Sequence, residues 1–478
     1  MRRFRGEKRK ANVPEGAPAP KEMRDEIREY CSGVCGRIRW KKARAAVAEE
    51  LASHICDQKE AYVQTGMEED EATHKAVLDM GDPREVGEAL DRIHRPQPQG
   101  KFLFFAFLAL AGGLAARFLA VSVYGDPVDL SVSDFRAAAA ALVLICVIYR
   151  IDFSPMLRHG RAVCLIALVF ILLCGFLLFD VNGVQGYFGG LYSYISVGFS
   201  ILFTPLYAFF LCSVVRKETG FRAVAAGAAA YLLPGIFLTV CSMAALCLIF
   251  YGVTTCAVTA IFAFHRRATR HNIFRKIMIL QIVLTGALLL LHSFLHNGQP
   301  LYIFWLWGEE WHSWNTELVQ LLPEIPFLGP GPGAEELDSA GIWISEANLK
   351  GDFLLFALML RFGWSAFFVV IGLFAWVLAA GFRRAGAQRS EPARMMTYSV
   401  MIVLTAQVIC YVLCNFGVML GTSLSLPLFS GGEALLLADA ALIGFLLSVF
   451  RTGQLFTDMR PAAKRTKVTQ QKRFFRKL

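Results

Sequence analysis

Residues 102–123 read FLFFAFLALAGGLAARFLAVSV, an apolar run with a single charge at Arg117. A helix of about 20 such residues crosses ~30 Å of hydrocarbon. The stretch therefore reads as a membrane span, and similar runs follow it. They lie near 135–149, 162–180, 195–215, 223–240, 244–264, 277–295, 352–382, 395–419 and 433–450. Together they predict an all-α polytopic membrane protein with about ten transmembrane helices. Composition agrees: 55% of the 478 residues are hydrophobic, 39 are Phe, and the mean hydropathy is +0.48. The first apolar run begins only at Phe102, so no secretory signal is read at the start.

Charge divides the chain differently. Residues 1–21 read as a disordered basic arm, and residues 22–95 as a small soluble helical domain. Val47, Leu51 and Ile55 recur at helical spacing, and Ala72, Ala76, Val77 and Met80 form a second stripe. Gly66 and Gly81-Asp82-Pro83 punctuate the helices, with Pro83 suited to a first helical turn. Residues 96–101 read as a linker, 102–452 as the membrane domain and 453–478 as a basic tail. Cys31, Cys35, His54 and Cys56 fit no strong zinc spacing and read as free thiols.

The formal net charge of +10 sits in short loops between apolar runs, which suits anionic headgroups and not nucleic acid. Cations fill residues 150–161, 216–222, 266–276 and 383–394 and the tail, whereas the alternate loops are acidic or neutral. The positive-inside rule then puts both ends in the cytosol. The long outer loop, 296–351, carries Trp305, Trp307, Trp311, Trp314 and Trp343, and indole rings settle among headgroups. Within it, Phe327-Leu328-Gly329-Pro330-Gly331-Pro332-Gly333 is a tight turn. Gly329 and Gly331 could cradle a phosphate, although the Lys and Ser/Thr of a P-loop are missing. No Walker, H-E-x-x-H or G-x-S-x-G motif occurs, and no cofactor is indicated.

Charges inside spans need a reason, since each costs ~2.5–3.5 kcal/mol at a helix centre. Arg117, Arg361 and Asp439 are such charges. Arg117 and Asp439 either pair between the first and last spans or mark a headgroup site. Asp352 stands where the outer loop enters the eighth span. Position alone reads it as a helix N-cap or as a partly desolvated base.

From about residue 100 to 452 the chain resembles the FtsW/RodA/SpoVE-type proteins of bacterial cell-wall growth. The resemblance rests on the span count, the loop between spans seven and eight, and local motifs. Gly351-Asp352-Phe353-Leu354-Leu355-Phe356 through Phe362-Gly363-Trp364 looks like the family's segment after that loop. Gln407, Asn415-Phe416-Gly417-Val418 and Leu426-Pro427-Leu428-Phe429-Ser430 look like its later motifs. Thr204-Pro205-Leu206-Tyr207 stands where the family has Pro-Ser-Glu, and Leu360-Arg361 where it has an acidic pair. Residues 22–95 resemble the HAAS-type prefix domain of Gram-positive permease-like proteins, through Glu49 to Asp57, Gly66-Met67 and Met80-Gly81-Asp82-Pro83.

These resemblances imply a peptidoglycan glycosyltransferase in the cytoplasmic membrane of a Firmicutes-like cell. Its substrate would be lipid II or another polyprenyl-linked precursor, and its partner a class B penicillin-binding protein. Asp352 matches the family's catalytic carboxylate, with Arg117, Lys350, Trp343, Gly329, Gly331 and Ser430 as candidate substrate contacts. A flippase for the same precursor and a non-catalytic scaffold or sensor are the alternatives on this fold.

Overall fold

The computed structural model describes residues 25–94, 98–121, 132–151, 162, 165–166, 169, 189–218, 220–241, 245–264, 271–295, 321–332, 351–388, 390–416, 424–430 and 432–452. The chain divides into two compact units, Met1–Pro98 and Gln99–Leu478. The basic arm, the tail, nearly all of the run 162–180 and most of the loop 296–351 lie outside the described residues.

The first unit holds four helices: α1 (Asp25–Arg37), α2 (Lys41–Gln64), α3 (Glu69–Asp79) and α4 (Pro83–His94). The stripe Val47, Leu51 and Ile55 is buried against Ile27, Tyr30, Val34 and Ala76. Tyr30 Oη donates to Met80 O at 3.1 Å, and Asp91 Oδ1 accepts from the Arg39 N–H at 2.7 Å. Burial pushes the Cys31 thiol up to about 11, so it stays protonated and unreactive at neutral pH. Among the described residues, no group of three or more His, Cys, Asp or Glu gathers where a metal could be held.

The second unit contains α5 (Gly100–Val121), α6 (Val132–Arg150), α7 (Gly189–Lys217), α8 (Gly220–Cys241), α9 (Ala245–Phe264) and α10 (His271–Leu295). After the long loop come α11 (Leu354–Phe362), α12 (Trp364–Gly386), α13 (Glu391–Asn415) and α14 (Glu433–Thr452). Among the described residues, nine of these helices are long and apolar enough to cross a bilayer, all but α11. The chain is a multi-pass membrane protein. Lipid leaves backbone groups no outside partner, so helices that satisfy their own N–H and C=O are the expected spans.

Helix α6 packs mainly on α14, while α10 packs on both α8 and α9. Helix α13 touches α7, α9, α12 and α14 and so joins the parts of the unit. Helix α12 is more peripheral: only Gly381 and Ala385 are fully buried, while Phe367, Val370, Ile371, Phe374 and Leu378 pack half-buried on the core. At the start of the unit, Gln99 Nε2 donates to Phe450 O and the Gln99 N–H to Tyr149 Oη, both at 3.3 Å. These bonds fasten the beginning of α5 to α6 and α14.

The eighth apolar run, expected as one span over 352–382, is two helices. Gly363 breaks it with φ +77°, a left-handed backbone that costs glycine little. A Cβ there would sit 2.4 Å from Pro326 O. The outer-loop turn fits into this break. The Trp364 and Ser365 N–H groups, orphans at the start of α12, each donate at 3.0 Å, to Pro326 O and Phe327 O. The Gly331 N–H donates to Leu360 O at 2.8 Å, satisfying a carbonyl at the end of α11. Arg361 is exposed, in the last turn of α11 beside this break.

Candidate active site

Helix α11 is apolar on every side, and all residues from Leu354 to Leu360 are buried. A helix of that pattern belongs inside protein or lipid. Asp352 precedes it in a turn and is half-buried. The N-cap is Phe353, whose side chain makes no capping bond, so the reading of Asp352 as N-cap is corrected.

Capping comes instead from α13. The Phe356 N–H donates to Asn415 Oδ1 at 2.9 Å, and the Leu355 N–H donates to Tyr411 Oη at 3.3 Å. The same side chains also hold the turn. Asn415 Nδ2 donates to Asp352 O at 3.0 Å and to Tyr411 O at 2.9 Å. Tyr411 Oη donates to Gly351 O at 3.2 Å. One N–H and two carbonyls fix which way the Asn415 amide points, because its oxygen only accepts and its nitrogen only donates. Tyr411 and Asn415 are themselves buried. A buried amide and phenol with all these partners make a rigid support.

Beside this support lies the segment 424–430. Ser430 Oγ accepts from the Leu426 N–H at 2.8 Å and also bonds the Tyr411 side chain. Leu428 adopts φ +61°, a strained backbone for a leucine. Asp439 on α14 accounts for the segment's shape. It is fully buried and accepts from Gln407 Nε2 at 2.8 Å, from Ser425 Oγ at 3.4 Å and from the Leu428 backbone. The Phe429 carbonyl lies against α5, where a Cβ on Gly113 would meet it at 2.2 Å, so only glycine fits there.

Arg117 is buried on α5, and its Nη1 donates to Asp134 Oδ1 on α6 at 2.8 Å. The suggested pair of Arg117 with Asp439 is therefore not formed. The neighbours of Arg117 and Asp352 in the chain, Ala116 and Phe353, share one buried cluster. Arg136 and Glu433 form a further, exposed pair at 3.4 Å across α6 and α14. Ser430 thus stands beside the Asp352 support, and Arg117 lies one residue from a cluster that includes its neighbour. Gly331 braces the α11–α12 break, and Gly329 lies in the same turn at φ +102°. Lys350 and Trp343 lie outside the described residues.

Sequence reasoning missed Tyr411 and Asp134, and it took Asn415 only as part of a motif. A signal was available for one of these. Tyr411 and Asn415 are four apart, so they share a helix face at the end of an apolar span.

No family model matches the chain. A probable peptidoglycan glycosyltransferase FtsW from Halomonas elongata is 34% identical over 119 residues. The chain is similar to FtsW. That alignment takes in 24% of this chain, and the chain spans 30% of the length of the curated relative. Among solved structures, the rod shape determining protein RodA of Thermus thermophilus is 18% identical, covering 74% of this chain and 97% of RodA, with a TM-score of 0.37. A point mutant of that RodA is 17% identical, covering 75% of this chain and 98% of its own, with a TM-score of 0.38. A peptidoglycan synthase complex coordinating polymerization and crosslinking has a chain that is 18% identical, covering 68% of this chain and 99% of its own, with a TM-score of 0.31.

Proposed function

We propose that this chain is a peptidoglycan glycosyltransferase of the FtsW/RodA type. It would polymerise lipid II, or another polyprenyl-linked sugar precursor, at the outer membrane face. One observation carries the reading. A carboxylate, Asp352, sits half-buried in a turn that two buried side chains of another helix hold at the start of α11. The identity to FtsW supports the choice of reaction.

In the reaction, a sugar hydroxyl of one precursor attacks the anomeric carbon of another. The new glycosidic bond forms as the bond to polyprenyl pyrophosphate breaks. A hydroxyl is a weak nucleophile until a base takes its proton, and a positioned carboxylate contributes ~10²–10⁴-fold. Asp352 accepts that proton. Pyrophosphate leaves as a stabilised anion, so one carboxylate suffices where glycosidases use two. Cations near the leaving group favour its departure. Asp134 neutralises Arg117, so that pair supplies orientation more than net charge. Lys350, two residues before Asp352 in the chain, is the better candidate.

Both ends of the chain would face the cytosol, the host would be a Gram-positive cell, and the partner would be a class B penicillin-binding protein. The helical unit of α1–α4 would regulate the membrane unit or bind a protein. The test is glycan synthesis from purified lipid II, with and without candidate partners. Glycan chains are the expected product. No product with any partner would move the chain to the flippase or scaffold alternative.

A further inference from the structure

We propose that Tyr411 and Asn415 are positioning residues for the Asp352 carboxylate, capping α11 and holding the turn that carries it. The inference rests on the glycosyltransferase reading for its kinetic part and on geometry alone for the rest.

An aspartate at the start of an apolar helix ordinarily bonds the N–H groups of the first turn. That arrangement aims the carboxylate back along its own helix. Here the Leu355 and Phe356 N–H groups go to Tyr411 Oη and Asn415 Oδ1. The donors on those same two side chains take the carbonyls of Gly351 and Asp352, one on each peptide at the carboxylate's own residue. Each side chain therefore works in two directions, capping the helix and clamping the turn before it. Tyr411 is fully buried and Asn415 nearly so, which excludes water as a substitute partner. A general base must stay within hydrogen-bond reach of the proton it takes. A displacement of 1 Å can cost ~10²-fold.

The experiment uses the full chain in nanodiscs, with Tyr411→Phe and Asn415→Ala. Hydrogen–deuterium exchange is followed over residues 351–362, with α12 as the internal reference. Exchange should be at least ~10-fold faster at Leu355 in Tyr411→Phe and at Phe356 in Asn415→Ala, with α12 unchanged, since that amide loses its side-chain partner. Unchanged exchange there, or an equal rise throughout α12, would overturn the clamp. In glycan synthesis from lipid II, kcat should fall ~10-fold or more with KM unchanged. In an Asp352→Asn background the same substitutions should cause no further fall. A rise in KM alone, or a full additional fall in that background, would also overturn it. If wild-type protein makes no glycan, the glycosyltransferase reading fails, and the exchange result still decides whether these two side chains hold the turn.

Discussion

Two polar regions of the membrane unit are built on opposite plans. Among α7–α10, buried hydroxyls bond one another and their own helices. Thr204 meets Thr254 at 2.7 Å and Tyr231 meets Thr285 at 2.6 Å. Thr254, Thr255, Thr259 and Thr285 each donate to the carbonyl four residues back. The Tyr231 and Tyr251 rings stack at 5.1 Å. This region joins helices where lipid gives no hydrophobic drive for association. Contacts between helices there, such as Tyr251 Oη to Tyr231 O, run from span to span, whereas around α11, α13 and α14 polar side chains also hold non-helical segments. Asn415 and Tyr411 hold the Asp352 turn, and Asp439 holds the segment 424–430. A network that ties span to span gives cohesion, whereas one that clamps a turn gives the carboxylate in that turn a fixed place. The site proposed above, at Asp352, lies in the second region.

Substitutions can sharpen the contrast. Asp439→Ala strips Gln407 Nε2 and Ser425 of their buried acceptor, and each orphaned group costs ~1–3 kcal/mol. A loss of about 3 kcal/mol is expected in thermal unfolding, together with lost protection over residues 424–430. Stability unchanged by Asp439→Ala would contradict its assigned role. Gly363→Ala forces a side chain into a left-handed backbone already in contact with Pro326 O. It should cost about 2 kcal/mol, the scale of backbone strain, and loosen the 321–332 turn against limited proteolysis. The smallest effect lies in the first region and has the opposite sign. Gln281 is buried on α10, and neither atom of its amide has a hydrogen-bond partner. Gln281→Met should raise stability by about 1 kcal/mol without changing glycan synthesis, because an unpaired buried amide is costly. A destabilised or inactive Gln281→Met protein would show that this region does more than join helices.

The spans were legible because each is a run of about 20 apolar residues, a signal that needs no tertiary information. The division of the run 352–382 was not. Leu358-Met359-Leu360 and Trp364 continue the apolar pattern across Gly363, and glycine is common inside membrane helices. The break depends on Pro326 and Phe327, which approach from some 40 residues away in the chain. Asp352 could be singled out by its place at a helix entrance, but its role as a cap was misread. The true caps, Tyr411 and Asn415, lie about 60 residues further on and carry no mark in one sequence that they face α11. The same holds for Arg117. Its burial was foreseeable, whereas its partner Asp134 follows from how α5 and α6 pack.

The comparison of Asp352→Asn with Asp352→Ala tests the central claim most directly, with polymerisation of lipid II and thermal stability measured on the same preparations. Asn keeps the size and polarity of Asp but cannot take a proton at neutral pH. Neither side chain is needed to cap Leu355 or Phe356, which Tyr411 and Asn415 serve. Both variants should melt close to wild type, and both should lose ~10²-fold or more in glycan synthesis. An Asp352→Asn protein that polymerises at the wild-type rate would contradict it.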